Sequence, residues 1–540
     1  MGELLRSGAL AALGTAADSG TLPECQGGVI SSGDRCLGEA MRAGQDAMTG
    51  VGRADGRSMM SDVSRRTLLK QVGAAAAAAA MPATLLAGQG GTSPVASGSR
   101  PPAADRRFRS EAVESFLEEA SRRVGDRELA RMFVNCFPNT LDTTVEPGRF
   151  EGKPDTAVIT GDIAAMWLRD SSAQVWPYLP FAAKDEPLRA LLEGVIRRQA
   201  RCLLIDPYAN AFMADLHAPS LPWSRSDDTE HRQGVGERKY ELDSLCYPIR
   251  LAHGYWKQTG GTQPFDGRWH DAMRLVVATM RVQQRKHDRG PYHFERTAPT
   301  PTETLGEKGF GTPCKPVGLI VSGFRPSDDA CVLPFLVPSN LFAVTSLRQL
   351  AELASTVLHD AALAKDATDL AAEVERALRE HATAATPEGT VWAYEVDGFG
   401  GQMLMDDANV PSLLALPYLK SSPDAGLYAR TRAFVWSERN PWFFRGSAGE
   451  GIGGPHVGTN MIWPMSQTMY ALTSSSDVEI RRALAMLKVG SAGSGFIHES
   501  YDRNDPKTFT RDWFAWANTI FGELIATLLQ GRPELLRSEL

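Results

Sequence analysis

The chain has 540 residues, a formal net charge of -7 and a pI near 5.9. No basic stripe offsets this acidic balance, which argues against nucleic acid as a partner. Five cysteines follow residue 100, namely Cys136, Cys202, Cys246, Cys314 and Cys331; scattered, odd in number and without C-x-x-C spacing, they indicate neither a zinc site nor a disulfide framework.

Residues 1–58 are Gly-rich and show no sustained helical or strand period. They are expected to be a non-native or disordered leader, with translation starting at Met59 or Met60. Residues 64–70, SRRTLLK, resemble a twin-arginine export signal, and VGAAAAAAAMPATLL after them supplies an uncharged, mildly apolar run too short and alanine-rich for a good membrane span. Residues 59–88 are therefore read as the signal peptide, giving a periplasmic or secreted protein without stable membrane association after cleavage. The Gly, Ser, Pro and Ala content of 89–107 reads as a flexible linker.

From 108 to 540 helical periodicity dominates. Helices are predicted over 110–136, 186–204, 241–258, 268–287, 340–358, 362–382, 425–436, 461–473, 477–489 and 513–530. In LRALLEGVIRRQARCL, Leu188, Leu191, Leu192, Val195 and Ile196 fall on one face at steps of three and four. Short strand-like runs such as GTVWAYEV at 389–396 decorate the connections. Periodicity alone fits a helical toroid or two helical domains equally well.

Four stretches carry unusual densities of charged and aromatic residues: GDIAAMWLRDS at 161–171, VSGFRPSDDA at 321–330, NPWFFRGSAGEGIGGPHVGTNMIWPMS at 440–466 and SGFIHESYDRNDPKTFTRDWFAWA at 494–517. Such groups are costly to bury unless they pair with one another or with a polar ligand. Aromatics beside carboxylates suit a sugar site, because rings cover the apolar faces of pyranoses while carboxylates bind hydroxyls or move protons. Together the four resemble the exo-acting α-1,6-mannosidases, glycoside hydrolase family 125. The resemblance runs from about Arg131 to about Leu529. It implies an all-α dominated (α/α)6 barrel that removes non-reducing terminal α-1,6-linked mannose from a glycan, with inversion and with neither metal nor other cofactor.

Inverting hydrolysis needs one carboxyl to protonate the leaving oxygen and another to activate water, with roughly 6.5–9.5 Å between them. The resemblance points to the GFRPSDD string for the acid and to Glu499 for the base. Asp328 and Asp329 would face opposite ways on an extended backbone. Asp328 is the preferred acid, leaving Asp329 to bind a hydroxyl or hold Arg325. Arg169 and Asp170 are expected to grip the terminal sugar, with Trp167 as a stacking candidate beside them. Glu241 and Asp243 are expected to line the pocket or cap a helix. His456 in its glycine-rich loop, and His498 and Arg511 beside the base, complete the expected sugar contacts. Asp406 and Asp407 lack the regular oxygen ligands of a calcium site. Two rivals remain: a glucoamylase- or trehalase-like α-glucosidase, which MWLRDS fits equally, and an exported carbohydrate-binding protein without catalysis.

Overall fold

The computed structural model describes residues 98–298 and 300–540. The leader, the signal and the linker up to residue 97 lie outside these residues. Residues 98–107, read above as the end of a flexible linker, are instead seated on the body. Arg100 forks onto Glu114 and Asp142, and the Arg107 amide donates to the Asp142 carbonyl.

The helices are α1 (Glu111–Ser121), α2 (Arg127–Cys136), α3 (Asn139–Thr143), α4 (Leu168–Val175), α5 (Glu186–Ile205), α6 (Leu242–Thr259), α7 (Gly267–Val282), α8 (Val337–Thr356), α9 (Ala361–His381), α10 (Ala425–Val435), α11 (Pro464–Leu472), α12 (Asp477–Gly490) and α13 (Ala515–Gly531). Many open on a side chain that accepts from a first-turn amide: Asp126, Asp185, Asp266, Asp360, Asp424 and Ser476 do so for α2, α5, α7, α9, α10 and α12.

The single helix predicted over 110–136 is two. Gly125 donates its amide to Leu536, and a Cβ there would lie 2.1 Å from the Arg537 carbonyl oxygen. The chain must break to admit the C-terminal segment, and Asp126 restarts the helix. Pattern reading also missed α4, whose first turn is polar and carries no apolar stripe.

Inner and outer helices alternate along the chain. Helices α4, α6, α8, α11 and α13 pack side by side as an inner ring: α4 lies against α6 and α13, α6 against α8, and α11 against α13. The sixth inner position is a compact run of turns over 414–420, whose Tyr418 hydroxyl donates to Glu523 of α13. Helices α2, α5, α7, α9, α10 and α12 alternate with them on the outside. This is an (α/α)6 barrel. The division is written in the sequence: α13 is apolar on nearly every face, as an enclosed helix must be, whereas α9 buries only a stripe of Leu363, Ala367, Leu370, Ala371, Val374, Ala377 and Leu378. The α5 stripe predicted from Leu188 to Ile196 is buried as expected.

The sheets are small. β1 (Ala165–Trp167), β2 (Ala211–Met213) and β3 (Val235–Glu237) form an antiparallel sheet in that order, and β4 (Met461–Ile462), β5 (Ser500–Asp502) and β6 (Phe509–Thr510) form another. Both lie in connections that lead into inner helices. No described helix is long and apolar enough to cross a membrane.

Candidate active site

Each charged string found in the sequence lies just before an inner element. Residues 160–170 lead into α4, 237–243 into α6, 325–329 towards α8, 406–407 into the inner turns, 454–458 towards α11 and 499–511 towards α13. Alternation of inner and outer elements points the inner ones the same way, so these segments meet at one end of the ring. Five helix N-termini converge there, and each carries a partial positive charge that favours carboxylates.

Arg169 is the centre of the cluster. β1 ends at Trp167 and α4 starts at Leu168, which puts Arg169 and Asp170 in the first helical turn. The guanidinium contacts Glu241 Oε2 at 2.5 Å, Asp243 Oδ2 at 3.4 Å, Asp170 Oδ2 at 3.4 Å and Asp328 Oδ1 at 3.5 Å. Burial pushes Asp170 and Asp243 each up to about 6, with attraction to Arg169 opposing it. Glu241 precedes α6 but does not cap it; its carboxyl turns to Arg169, Ser244 and Asn210. Glu241 and Asp243 are fully buried, so they hold Arg169 in place and do not line the site's open surface.

The acid loop is a tight turn, not the extended segment expected. Arg325 and Asp329 close on each other through the Arg325 amide and the Asp329 carbonyl, at 2.7 Å, and Asp328 sits at φ +67°. A non-glycine residue in the left-handed region is costly and clusters at functional sites. The two carboxyls still diverge. Asp328 is 24 % exposed and meets Arg169 and Asn210; Asp329 is fully buried, 3.6 Å from His456 Nδ1. Burial opposes ionisation of Asp328, but attraction to Arg169 and Lys239 outweighs it and holds the carboxyl well below its usual range. Arg325 does not reach the sugar site and is not held by the Asp329 carboxyl. It pairs with buried Glu395 at 2.6 Å, and Glu395 also accepts from the amides of Val332 and Leu333, which fixes the loop.

His456 stands between Gly454 and Gly458 on a short 3-10 turn. Burial would lower its pKa, but the neighbouring Asp329, and beyond it Glu499 and Asp328, push it up to about 10. These carboxyls favour its charged imidazolium form, and the contact it makes is with Asp329. Glu499 lies between β5 and His498, and Arg511 Nη1 donates to its Oε1 at 3.2 Å. Arg511 is itself anchored on Asp162.

His498 is not a sugar contact. Its ring is fully buried, stacks on Phe509 at 3.8 Å and lies 3.3 Å from the Ser491 carbonyl; burial lowers its pKa and keeps it neutral. Trp167 packs with Ala165, Ala211 and Leu221 in a small core and is 5 % exposed, so it offers no open stacking face. Trp463 and Trp513 are likewise buried, while Trp442 is partly open. Asp406 accepts from the amides of Leu413 and Leu414, and Asp407 from Ser327 and Asn409, so both are committed to local structure. No group of three or more metal-ligating side chains occurs among the described residues.

Sequence reading missed Asn210, Lys239 and Asp162. Asn210 Nδ2 lies within 3.3 Å of Glu237, Glu241 and Asp328, and Lys239 Nζ donates to the Asp328 carbonyl at 2.9 Å. Only Asp162 carried a signal, since it stands inside GDIAAMWLRDS; Asn210 in YANAF had none.

The sequence from 126 to 526 matches the family model described as metal-independent alpha-mannosidase, GH125. The chain belongs to this family. It is a glycoside hydrolase, an α-mannosidase. The "Meiotically up-regulated gene 157 protein" of Schizosaccharomyces pombe is 41% identical over 460 residues, covering 81% of this chain and 89% of that protein. A Streptococcus pneumoniae metal-independent α-mannosidase, solved in a non-productive complex with α-1,6-mannobiose, is 37% identical with a TM-score of 0.75; it covers 79% of this chain and is itself covered in full.

Proposed function

We propose that the protein is an exo-α-1,6-mannosidase acting with inversion, with Asp328 as general acid and Glu499 as general base. The observation that carries this reading is the open Asp328 carboxyl on Arg169 at the same end of the ring as Glu499 on Arg511, with buried Asp329 facing His456. A group that must reach the glycosidic oxygen has to be accessible, and geometry ranks before pKa in choosing it. Arg511 holds Glu499 through one oxygen, leaving Oε2 without a protein donor among the described residues and free for a water. The buried floor of Arg169, Asp170, Glu241 and Asp243 supports an exo mode, because it ends the site in packed charge. The α-1,6-mannobiose complex of the streptococcal relative supports the linkage.

The purified protein is expected to cleave α-1,6-mannobiose in the presence of EDTA, in preference to the α-1,2 and α-1,3 isomers. Proton NMR should show β-mannose first. Appearance of α-mannose first would make the mechanism retaining, and turnover of an α-glucoside disaccharide with no α-mannobiose cleaved would return the glucoamylase-like rival. Export by the twin-arginine route is the reading of residues 64–70. Changing Arg65 and Arg66 together to Lys should leave precursor in the cytoplasm, and undiminished export of the double variant would overturn it.

A further inference from the structure

The geometry points to Glu241 as the residue that stores the proton which Asp328 delivers to the leaving oxygen. This rests on the assignment of Asp328 as acid and adds a partner to it. Glu241 touches no sugar: its side chain is fully buried, beneath Arg169. It is a positioning residue that acts through Asp328.

The Glu241 and Asp328 carboxyls are both drawn onto Arg169, at 2.5 Å and 3.5 Å. Asn210 Nδ2 touches both, at 3.3 Å from Glu241 Oε1 and 3.2 Å from Asp328 Oδ1. Two ionised carboxylates drawn onto the same donors repel each other, and one proton on the pair relieves that repulsion. Charge counting leads to the same place. Arg169 contacts four carboxyls: Asp170, Glu241, Asp243 and Asp328. The other cations nearby are shared: Arg296 serves Asp227, Glu237 and Glu303, Lys239 pairs with Glu303 while donating to the Asp328 carbonyl, and His456 faces Asp329. One guanidinium cannot neutralise four buried carboxylates, and like charges this close cannot all ionise.

The position of the proton follows from the surroundings of each member. Asp328 has the partly open carboxyl, the nearby Lys239 and the converging helix ends, all of which favour its anion. Glu241 is shut off from solvent, and burial together with Asp328 and Asp243 pushes its carboxyl well above the usual range despite Arg169. The pair titrates as a unit.

During hydrolysis the Glu241 O–H bond breaks as its proton passes to Asp328. The Asp328 proton goes to the glycosidic oxygen, which takes the electron pair of the breaking anomeric C–O bond. Water forms the new bond and gives its proton to Glu499. Glu241 is left as a carboxylate against Arg169, 2.5 Å away. The proton on Glu499 leaves to solvent and solvent returns one to the Glu241–Asp328 pair, so the cycle balances.

The test separates proton supply from structure by changing the leaving group. Glu241→Gln keeps the shape, a donor towards Asp328 and an acceptor for Arg169, but holds no transferable proton. α-Mannosyl fluoride needs far less acid assistance than α-1,6-mannobiose. The variant is expected to lose about 10²-fold or more in kcat on mannobiose, in the range of acid catalysis, yet stay within several-fold of wild type on the fluoride. Its kcat–pH profile on mannobiose should also lose the alkaline limb. Glu241→Asp, which retains a proton, should keep the wild-type ratio between the two substrates even if both rates drop, so a partly unstable protein still gives an answer. Equal losses on both substrates, or no loss on either, would overturn the role. Wild type that cleaves neither substrate would instead overturn the assignment of function.

Discussion

Glu499→Ala should lower turnover of α-1,6-mannobiose by roughly 10²–10⁴-fold, the usual range for one acid or base group. Mannose binding should survive, because the Arg169 cluster that forms the floor is untouched. Asp328→Ala should fall by a similar factor on mannobiose, but by much less on α-mannosyl fluoride, whose departure needs little protonation. The contrast between the two variants is informative: a base is required whatever leaves, so Glu499→Ala should be slow on both substrates. Azide, an anion that needs no base to activate it, can replace water as the nucleophile in a base variant of an inverting enzyme, and it should then yield β-mannosyl azide. Asp329→Ala is the control that decides between neighbours. Asp329 is closed to solvent and faces His456, so its loss should lower both substrates alike. If Asp329→Ala, and not Asp328→Ala, spares the fluoride while losing mannobiose, the acid is Asp329.

Much of the barrel was legible because helix periodicity survives wherever one face meets a core and the other meets water. The outer helices α5, α9 and α12 have that pattern and were found close to their true limits. What was lost is equally physical. Helix α4 is buried on all sides but polar in its first turn, since its function is to carry Arg169 and Asp170 and not to present an apolar stripe. The break at Gly125 depends on the C-terminal residues that pack there, more than 400 positions away in sequence, which no local pattern records. The site was legible as strings of charge but not as roles. Arg325, Asp243 and Glu241 look like ligands in the sequence, yet each is buried and engaged by another protein group. His498 and Glu499 are neighbours, and the chain buries the first ring against Phe509 while giving the second to Arg511. Asn210 belongs to the site only through the fold, which brings β2 beside β1.

Arg169→Met should be the most destabilising single change in the site. A buried ion pair can often be replaced as a whole without loss, but removing one partner leaves buried charge uncompensated, at roughly 3–5 kcal/mol. Here the partner removed serves four carboxyls at once. The loss should depend on pH in a definite direction. Asp170 and Asp243 stand at about 6 in the folded protein, against about 3.9 for an unperturbed aspartate. Burial is the chief cause, and the folded state therefore binds more protons than the unfolded one between those values. Stability falls as pH rises through that window and levels off above it. Without Arg169 the folded values rise further and the window extends upwards. Below pH 4 the aspartates are largely protonated in both states, and the variant should melt only a little earlier than wild type. At pH 8 they must ionise without a counterion or remain protonated against the bulk, and the gap in melting temperature should be at its widest. Arg169→Lys should recover part of the gap, since it restores a charge but not the fork that touches several carboxyls at once. A gap that is constant with pH, or wider in acid, would mean that Arg169 acts by packing and that the carboxyls around it find their compensation elsewhere.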